Sequence, residues 1–156
     1  MIFPVYETES IEVPQATLDA LGINKIINSE FSKDTNIILI QIEDSATLRG
    51  MQPDFIQLEK SYDNIDGVAV TALSKDTDYD FESRFFWPWC GTDEDPVTGA
   101  THTFLSLYWS KILDKKKMRA LQCSERSGYL DLELKETDKL SIRSQAQIML
   151  KGSFLI

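Results

Sequence analysis

The residue types that could do chemistry gather in Gly91-Thr92-Asp93-Glu94-Asp95-Pro96-Val97-Thr98-Gly99-Ala100-Thr101-His102. The stretch reads as a polar, acidic turn that opens a helix. Asp95 or Thr98 could serve as N-cap, Pro96 suits the first helical position if Asp95 caps, and Gly99 lets a ligand approach the backbone closely. A helix start with free N–H groups is a natural anion site, and a carboxylate beside it can move a proton. The helix dipole favours the Asp95 carboxylate, whereas desolvation beside Asp93 and Glu94 favours the acid. The plainer alternative is that Asp95 only caps a helix and that Thr98 and Gly99 only initiate it. His102, one turn beyond Thr98, is either a general base or a satisfied core residue. Cys90 is either a reactive thiol or a small buried hydrophobe.

The elements that must position these residues follow from patterning. Beyond the turn, Phe104, Leu105, Leu107, Tyr108, Trp109, Ile112 and Leu113 point in nearly every helical direction, so the helix is expected to be buried all round. Residues 79–87 alternate as a strand that runs into the turn, with Ser83 and Arg84 on opposite faces. Upstream, residues 1–12 are extended, Pro14 and Gly22 bracket a short helix, and residues 36–42 and 68–73 are apolar strands. Short helices are expected over 46–51 and from Pro53 onward. Downstream come four short strands over 118–124, 129–134, 139–143 and 147–151. Ser127-Gly128 and 136–138 are hairpin-type links, so these strands should be antiparallel neighbours. A sheet that curls around the apolar helix satisfies both the meander and the helix.

Bulk properties narrow the function classes. With 156 residues, 42% of them hydrophobic, the chain is expected to form a single domain over 1–156. A formal net charge of -9 argues against nucleic acid or an anionic membrane as partner. The only basic run, Lys115-Lys116-Lys117, fits a helix C-terminus. Two cysteines and one histidine show no metal-ligand spacing, so no metal is expected and a reduced, cytoplasmic setting is. No targeting signal or membrane span is expected.

A longer pattern adds what spacing could not. Asp80-Phe81-Glu82-Ser83-Arg84-Phe85-Phe86-Trp87-Pro88, then 91–99, Tyr108-Trp109 and Gln122-Cys123-Ser124-Glu125-Arg126 together resemble the PhzF-like, or phenazine-biosynthesis-like, isomerase family. Gln145-Ala146 and Lys151-Gly152 keep the register. All 156 residues resemble the C-terminal half of that family, with Ile2-Phe3-Pro4 similar to the start of its second domain; the N-terminal half has no counterpart. The resemblance implies an α+β, diaminopimelate epimerase-like domain: a mostly antiparallel sheet curled as a barrel around one central buried helix, about 97–113, with short peripheral helices.

It also implies cofactor-independent proton transfer at carbon, an isomerisation or epimerisation of a small carboxylic or amino acid in a cleft between two such domains. The family's acid/base glutamate and its Gly-His-Ala-Thr-type loop belong to the half without counterpart. What carries over is Asp95 as a catalytic carboxylate and Thr98-Gly99 as the helix start, with Thr98, Gly99, Ala100 and Thr101 lining the substrate. The family usually has serine where Ala100 stands. Thr101 supplies a hydroxyl about 100° further round the helix, a partial substitute. Glycine is also usual where Ser127 stands. The expectation is a truncated or split-gene second domain, inactive without the N-terminal half, with a separate N-terminal chain or a second copy as candidate partner; the alternative is a non-catalytic carboxylate-binding or interaction module, with a homodimer mimicking the two-lobed enzyme.

Overall fold

A computed structural model of the chain describes residues 1–135, 138–146, 149 and 152. The Ile-Ile-Leu-Ile-Gln run at Ile37–Gln41 shows no polar alternation, and all five residues are buried because the sheet is covered on both faces there. In chain order the elements are β1 (Ile2–Pro4), β2 (Glu9–Ser10), α1 (Gln15–Leu21), β3 (Asn28–Ser32), β4 (Ile37–Gln41), α2 (Ser45–Gly50), α3 (Phe55–Ser61), β5 (Gly67–Leu73) and β6 (Phe81–Trp87). After a 3-10 turn at Pro88–Cys90 come β7 (Thr92–Asp95), α4 (Gly99–Leu113), β8 (Lys117–Gln122), β9 (Gly128–Leu134) and β10 (Lys139–Arg143).

Gly22 at φ 70° ends α1 in the left-handed region, as its position suggests. Pro53 does not open α3. The side chain of Asp54 caps it by accepting the Gln57 N–H, and Asp44 caps α2 through the Thr47 N–H.

One sheet runs β1-β10-β9-β8-β6-β5-β4-β3-β2, with β7 paired to β6 off this path. Only β4–β5 and β6–β8 are parallel among the described pairings. The first is bridged by α2 and α3, the second by β7 and α4. Antiparallel β8–β9 and β9–β10 are the expected meander. Apart from residue 149, the strand expected over 147–151 lies outside the described residues, as does most of the 136–138 link.

The two faces of the sheet support two cores. On one, α1, α2 and α3 pack on Ile38, Ile40, Val68, Val70 and Phe86. On the other, Phe104, Leu105, Tyr108 and Trp109 of α4 pack on Leu39, Ala69, Phe81, Phe85, Met118, Ala120, Leu130 and Leu140. The helix is not buried all round: Ala100, Lys111 and Ile112 are exposed. Nor does the sheet close into a barrel. β1 and β2 are its two edges, Pro4 has no N–H to extend a ladder, and β2 is two residues long. The chain between them instead crosses α4, where the Tyr6 N–H donates to the Thr103 carbonyl at 3.2 Å. No helix among the described residues is long and apolar enough to cross a membrane.

Gly67 marks the tightest approach between β5 and β6. A Cβ there would lie 2.6 Å from Phe85 Cε2 and 2.8 Å from the Phe86 carbonyl oxygen. Gly67→Ala is therefore expected to destabilise the fold by about 2–3 kcal/mol through overpacking. Urea unfolding checks this, and an unchanged midpoint would mean that the Phe85 ring yields freely.

Candidate active site

β6 sets the position of the site because its two faces carry different chemistry. Phe81, Ser83 and Phe85 face α4, while Glu82, Arg84 and Phe86 face the α1–α3 layer. Ser83 and Arg84 therefore do not share a pocket, as the alternation implies. Arg84, buried, makes a bidentate pair with Glu94 at 2.7 and 2.8 Å, and its Nη1 donates to the Met51 carbonyl at 2.7 Å. That pair aligns β7 antiparallel to β6 and puts Asp95 opposite Phe85.

The acidic stretch is thus a strand followed by a turn. Asp95 ends β7 and does not cap the helix, and Pro96 lies outside it. Thr98 is the N-cap by backbone position, without a side-chain capping bond. Its hydroxyl donates to Asp95 Oδ2 at 2.5 Å, which joins the two residues at the helix mouth. The Thr98 N–H is not open to a ligand because Gln122 Oε1 accepts it at 2.8 Å. The first helical N–H groups, those of Gly99, Ala100 and Thr101, have no intrahelical acceptor.

Ala100 is exposed at the mouth. Thr101 is buried, and its hydroxyl donates back to the Thr98 carbonyl at 3.2 Å, so it does not stand in for a hydroxyl at position 100. An open groove of about 590 Å³ runs beside the turn. It is lined by Phe55, Thr92, Asp93, Glu94, Pro96, Ser124, Glu125 and Arg126, and by none of Asp95 and Thr98 to Thr101.

His102 is no surface base. It is fully buried, and Nδ1 lies 2.7 Å from the Thr98 carbonyl oxygen. A carbonyl can only accept, so Nδ1 carries the proton and Nε2 is the acceptor, without a partner among the described residues. Burial lowers its pKa to about 4, more than the bond to Thr98 restores. Cys90 is exposed, contrary to a core role, and its thiol is pushed up by desolvation and by Asp66, the reverse of activation. Cys123 is pushed up to about 11, chiefly by burial. Ser127 sits at φ 43°, which gives a physical reason for glycine being usual there.

Residue-type reasoning did not single out Gln122 and Ser124. Both reach the turn from the end of β8, where Gln122 continues the inward series Met118, Ala120. Polar residues prolonging an apolar inward series were the signal available.

Over residues 1–152 the chain matches a family model named PhzC-PhzF and described as phenazine biosynthesis-like protein. It is 35% identical over 161 residues to the phenazine biosynthesis-like domain-containing protein of Rattus norvegicus, covering 97% of this chain and 56% of the rat protein. It is 36% identical over 143 residues to a protein of Halalkalibacterium halodurans named an uncharacterized isomerase, covering 92% of this chain and 52% of that protein. The crystal structure of a PhzF family protein from Enterococcus faecalis is similar with a TM-score of 0.88 at 32% identity, over 99% of this chain and 57% of that one. The chain thus spans little more than half the length of the relatives it matches.

The buried histidine makes a testable contribution to stability. An unfolded His102 takes up a proton near its ordinary 6.5, the folded one only near 4. Its stabilising effect is therefore complete above 6.5 and is lost as pH falls toward 4, by up to roughly 3 kcal/mol. Urea unfolding at pH 7 and pH 4.5 should show this slope in the wild type and a shallower one in His102→Gln. Equal slopes would count against it.

Proposed function

This chain belongs to the PhzC-PhzF family of phenazine biosynthesis-like proteins, and from that premise we propose that it is one of the two similar domains of a proton-transfer isomerase. It supplies the Asp95 wall of a two-walled site. The remaining wall, carrying the acid/base glutamate that the family resemblance implies, comes from polypeptide beyond these 156 residues. The coverage of little more than half of each relative supports this division. The isomerase name of the Halalkalibacterium relative supports the reaction class.

One observation carries the reading: the Asp95 carboxylate, tied to the Thr98 hydroxyl at 2.5 Å, stands beside a helix start whose first N–H groups have no intrahelical acceptor. A substrate carboxylate docks on the N–H groups of Gly99, Ala100 and Thr101, where the dipole favours negative charge. The proton leaves one carbon of the bound acid and is returned at another carbon or face, and the same N–H groups hold the enolate-like oxyanion between the two steps. The substrate class is a small carboxylic or amino acid, and neither metal nor organic cofactor enters the scheme. A reduced cytoplasmic setting completes the reading, in keeping with two free thiols among the described residues.

Ala100, exposed at the mouth, favours a second reading: a module that binds small carboxylates without catalysis, alone or as a homodimer. Proton NMR in D2O separates the two. The chain alone is expected to exchange no C–H of a panel of small amino and carboxylic acids. Mixed with the remaining half of the Enterococcus faecalis relative, it should catalyse exchange that Asp95→Asn cuts by about a hundredfold or more. Robust exchange by the chain alone, or an undiminished rate in the variant, overturns the first reading. Carboxylate-induced shifts at the Gly99 to Thr101 amides with no exchange in the mixture establish the second.

A further inference from the structure

The turn between β7 and α4 is held from one side by the end of β8. Gln122, fully buried, accepts the Thr98 N–H on Oε1 at 2.8 Å, and its Nε2 donates to the Asp95 carbonyl at 2.7 Å and to the Thr98 hydroxyl oxygen at 3.1 Å. Ser124, two residues on, donates to the Pro96 carbonyl at 2.7 Å, and its Oγ accepts the Ser127 N–H at 3.1 Å. Across the ladder from Gln122, Gly128 leaves room for Val97: a Cβ there would meet Val97 Cγ2 at 2.5 Å.

Chemistry settles which way the Gln122 amide faces. Only its oxygen can meet the Thr98 N–H, so its NH2 must face the Asp95 carbonyl and the Thr98 oxygen, and each of its two N–H bonds then has an acceptor. The Thr98 hydroxyl thus receives one hydrogen bond and has a single proton to give. That proton goes to Asp95 Oδ2. A chain of fixed direction runs from Gln122 through Thr98 to the carboxylate.

The core does not demand an amide here. Met118 and Ala120 precede Gln122 on the same inward face, and an apolar side chain would fill the position as well. Instead, the hydrogen-bonding groups of this side chain meet the 95–98 segment.

We propose that Gln122 is the positioning residue of the α4 mouth. By orienting the Thr98 hydroxyl it holds Asp95 Oδ2 and presents Oδ1, together with the N–H groups of Gly99 and Ala100, to a carboxylate ligand as one rigid unit. The proposal rests on reading that mouth as a carboxylate site, and the test separates the two.

The test uses NMR on the 156-residue chain, with succinate as probe, in the wild type and four variants. Gln122→Met keeps length and neutrality but removes every hydrogen bond. Thr98→Val breaks the chain at its middle, Thr98→Ser keeps the hydroxyl, and Met118→Ala destabilises the same strand without touching the turn. Gln122→Met and Thr98→Val are expected to weaken succinate binding about tenfold, the scale of one hydrogen bond to a charged group, and to move the ¹³C resonance of the Asp95 carboxyl. Thr98→Ser and Met118→Ala should behave as the wild type does. If Gln122→Met fails to fold, the contrast between Thr98→Val and Thr98→Ser decides. Should the wild type show no response to succinate, the carboxylate-site reading fails. The positioning role is then judged on the Asp95 resonance alone: a shift shared by Gln122→Met and Thr98→Val but not by Met118→Ala upholds it. Wild-type binding, or an unmoved Asp95 resonance, in both broken-chain variants overturns it.

Discussion

The bidentate pair between Arg84 and Glu94 is the interaction on which the site depends. The Arg84 side chain is only 9% exposed, and Glu94 beside it holds the guanidinium above its ordinary range. A charge so placed must be matched, because removing one partner of a buried pair costs about 3–5 kcal/mol. Matching it leaves β7 one register on β6, which puts Asp95 opposite Phe85 and aims the chain at the start of α4. The same guanidinium lies 4.9 Å from the centre of the Phe86 ring and donates to the end of α2, so one side chain links the helical layer to the site. Glu82, two residues earlier, is fully buried and answered by Arg49 at 2.6 and 2.8 Å. Two oppositely charged residues on one strand face each recruit a partner from another element, and the partners define where those elements sit.

The opposite face of β6 solves a different problem. There the N-terminal turn of α4 enters an apolar core, and its polar groups must find partners inside the protein. Gln122 and Ser124 meet three backbone groups of the 95–98 turn, and His102 adds a fourth contact by donating to the Thr98 carbonyl. Deeper along the same region, the hydroxyls of Ser83 and Ser106 and Nε2 of His102 have no partner among the described residues. The partners supplied at the mouth fix the backbone of the 95–98 turn.

The family relationship and the local geometry meet at one point. An open helix start beside a carboxylate is half of what proton transfer on an anionic substrate needs: a place for the negative group and an acid/base within reach. The exposed Ala100 means that the mouth lies at a surface of this chain. The proposed two-walled site accords with a chain spanning little more than half of each relative.

Much of the fold was legible because it is written locally. The unbroken apolar runs at 37–41 and 68–73, the alternation of 81–87 and the long apolar stretch of 104–113 each specify an element locally, and Ser127-Gly128 specifies a hairpin. The polar Asn28–Ser32 and the acidic Thr92–Asp95 were not legible as strands, since neither carries an apolar face of its own; both form because a neighbour offers a ladder. For the site, residue types and the family resemblance alone singled out Asp95, Thr98 and Gly99. Only the tertiary structure decided that Asp95 ends a strand, that Thr101 turns inward, and that Gln122, 27 residues from Asp95 in the chain, hydrogen-bonds to both Asp95 and Thr98. The physical reason is that periodicity tells which face a side chain takes. Which distant group it meets there depends on how buried charges and hydrogen-bonding groups are matched across the sheet, and no local pattern records that.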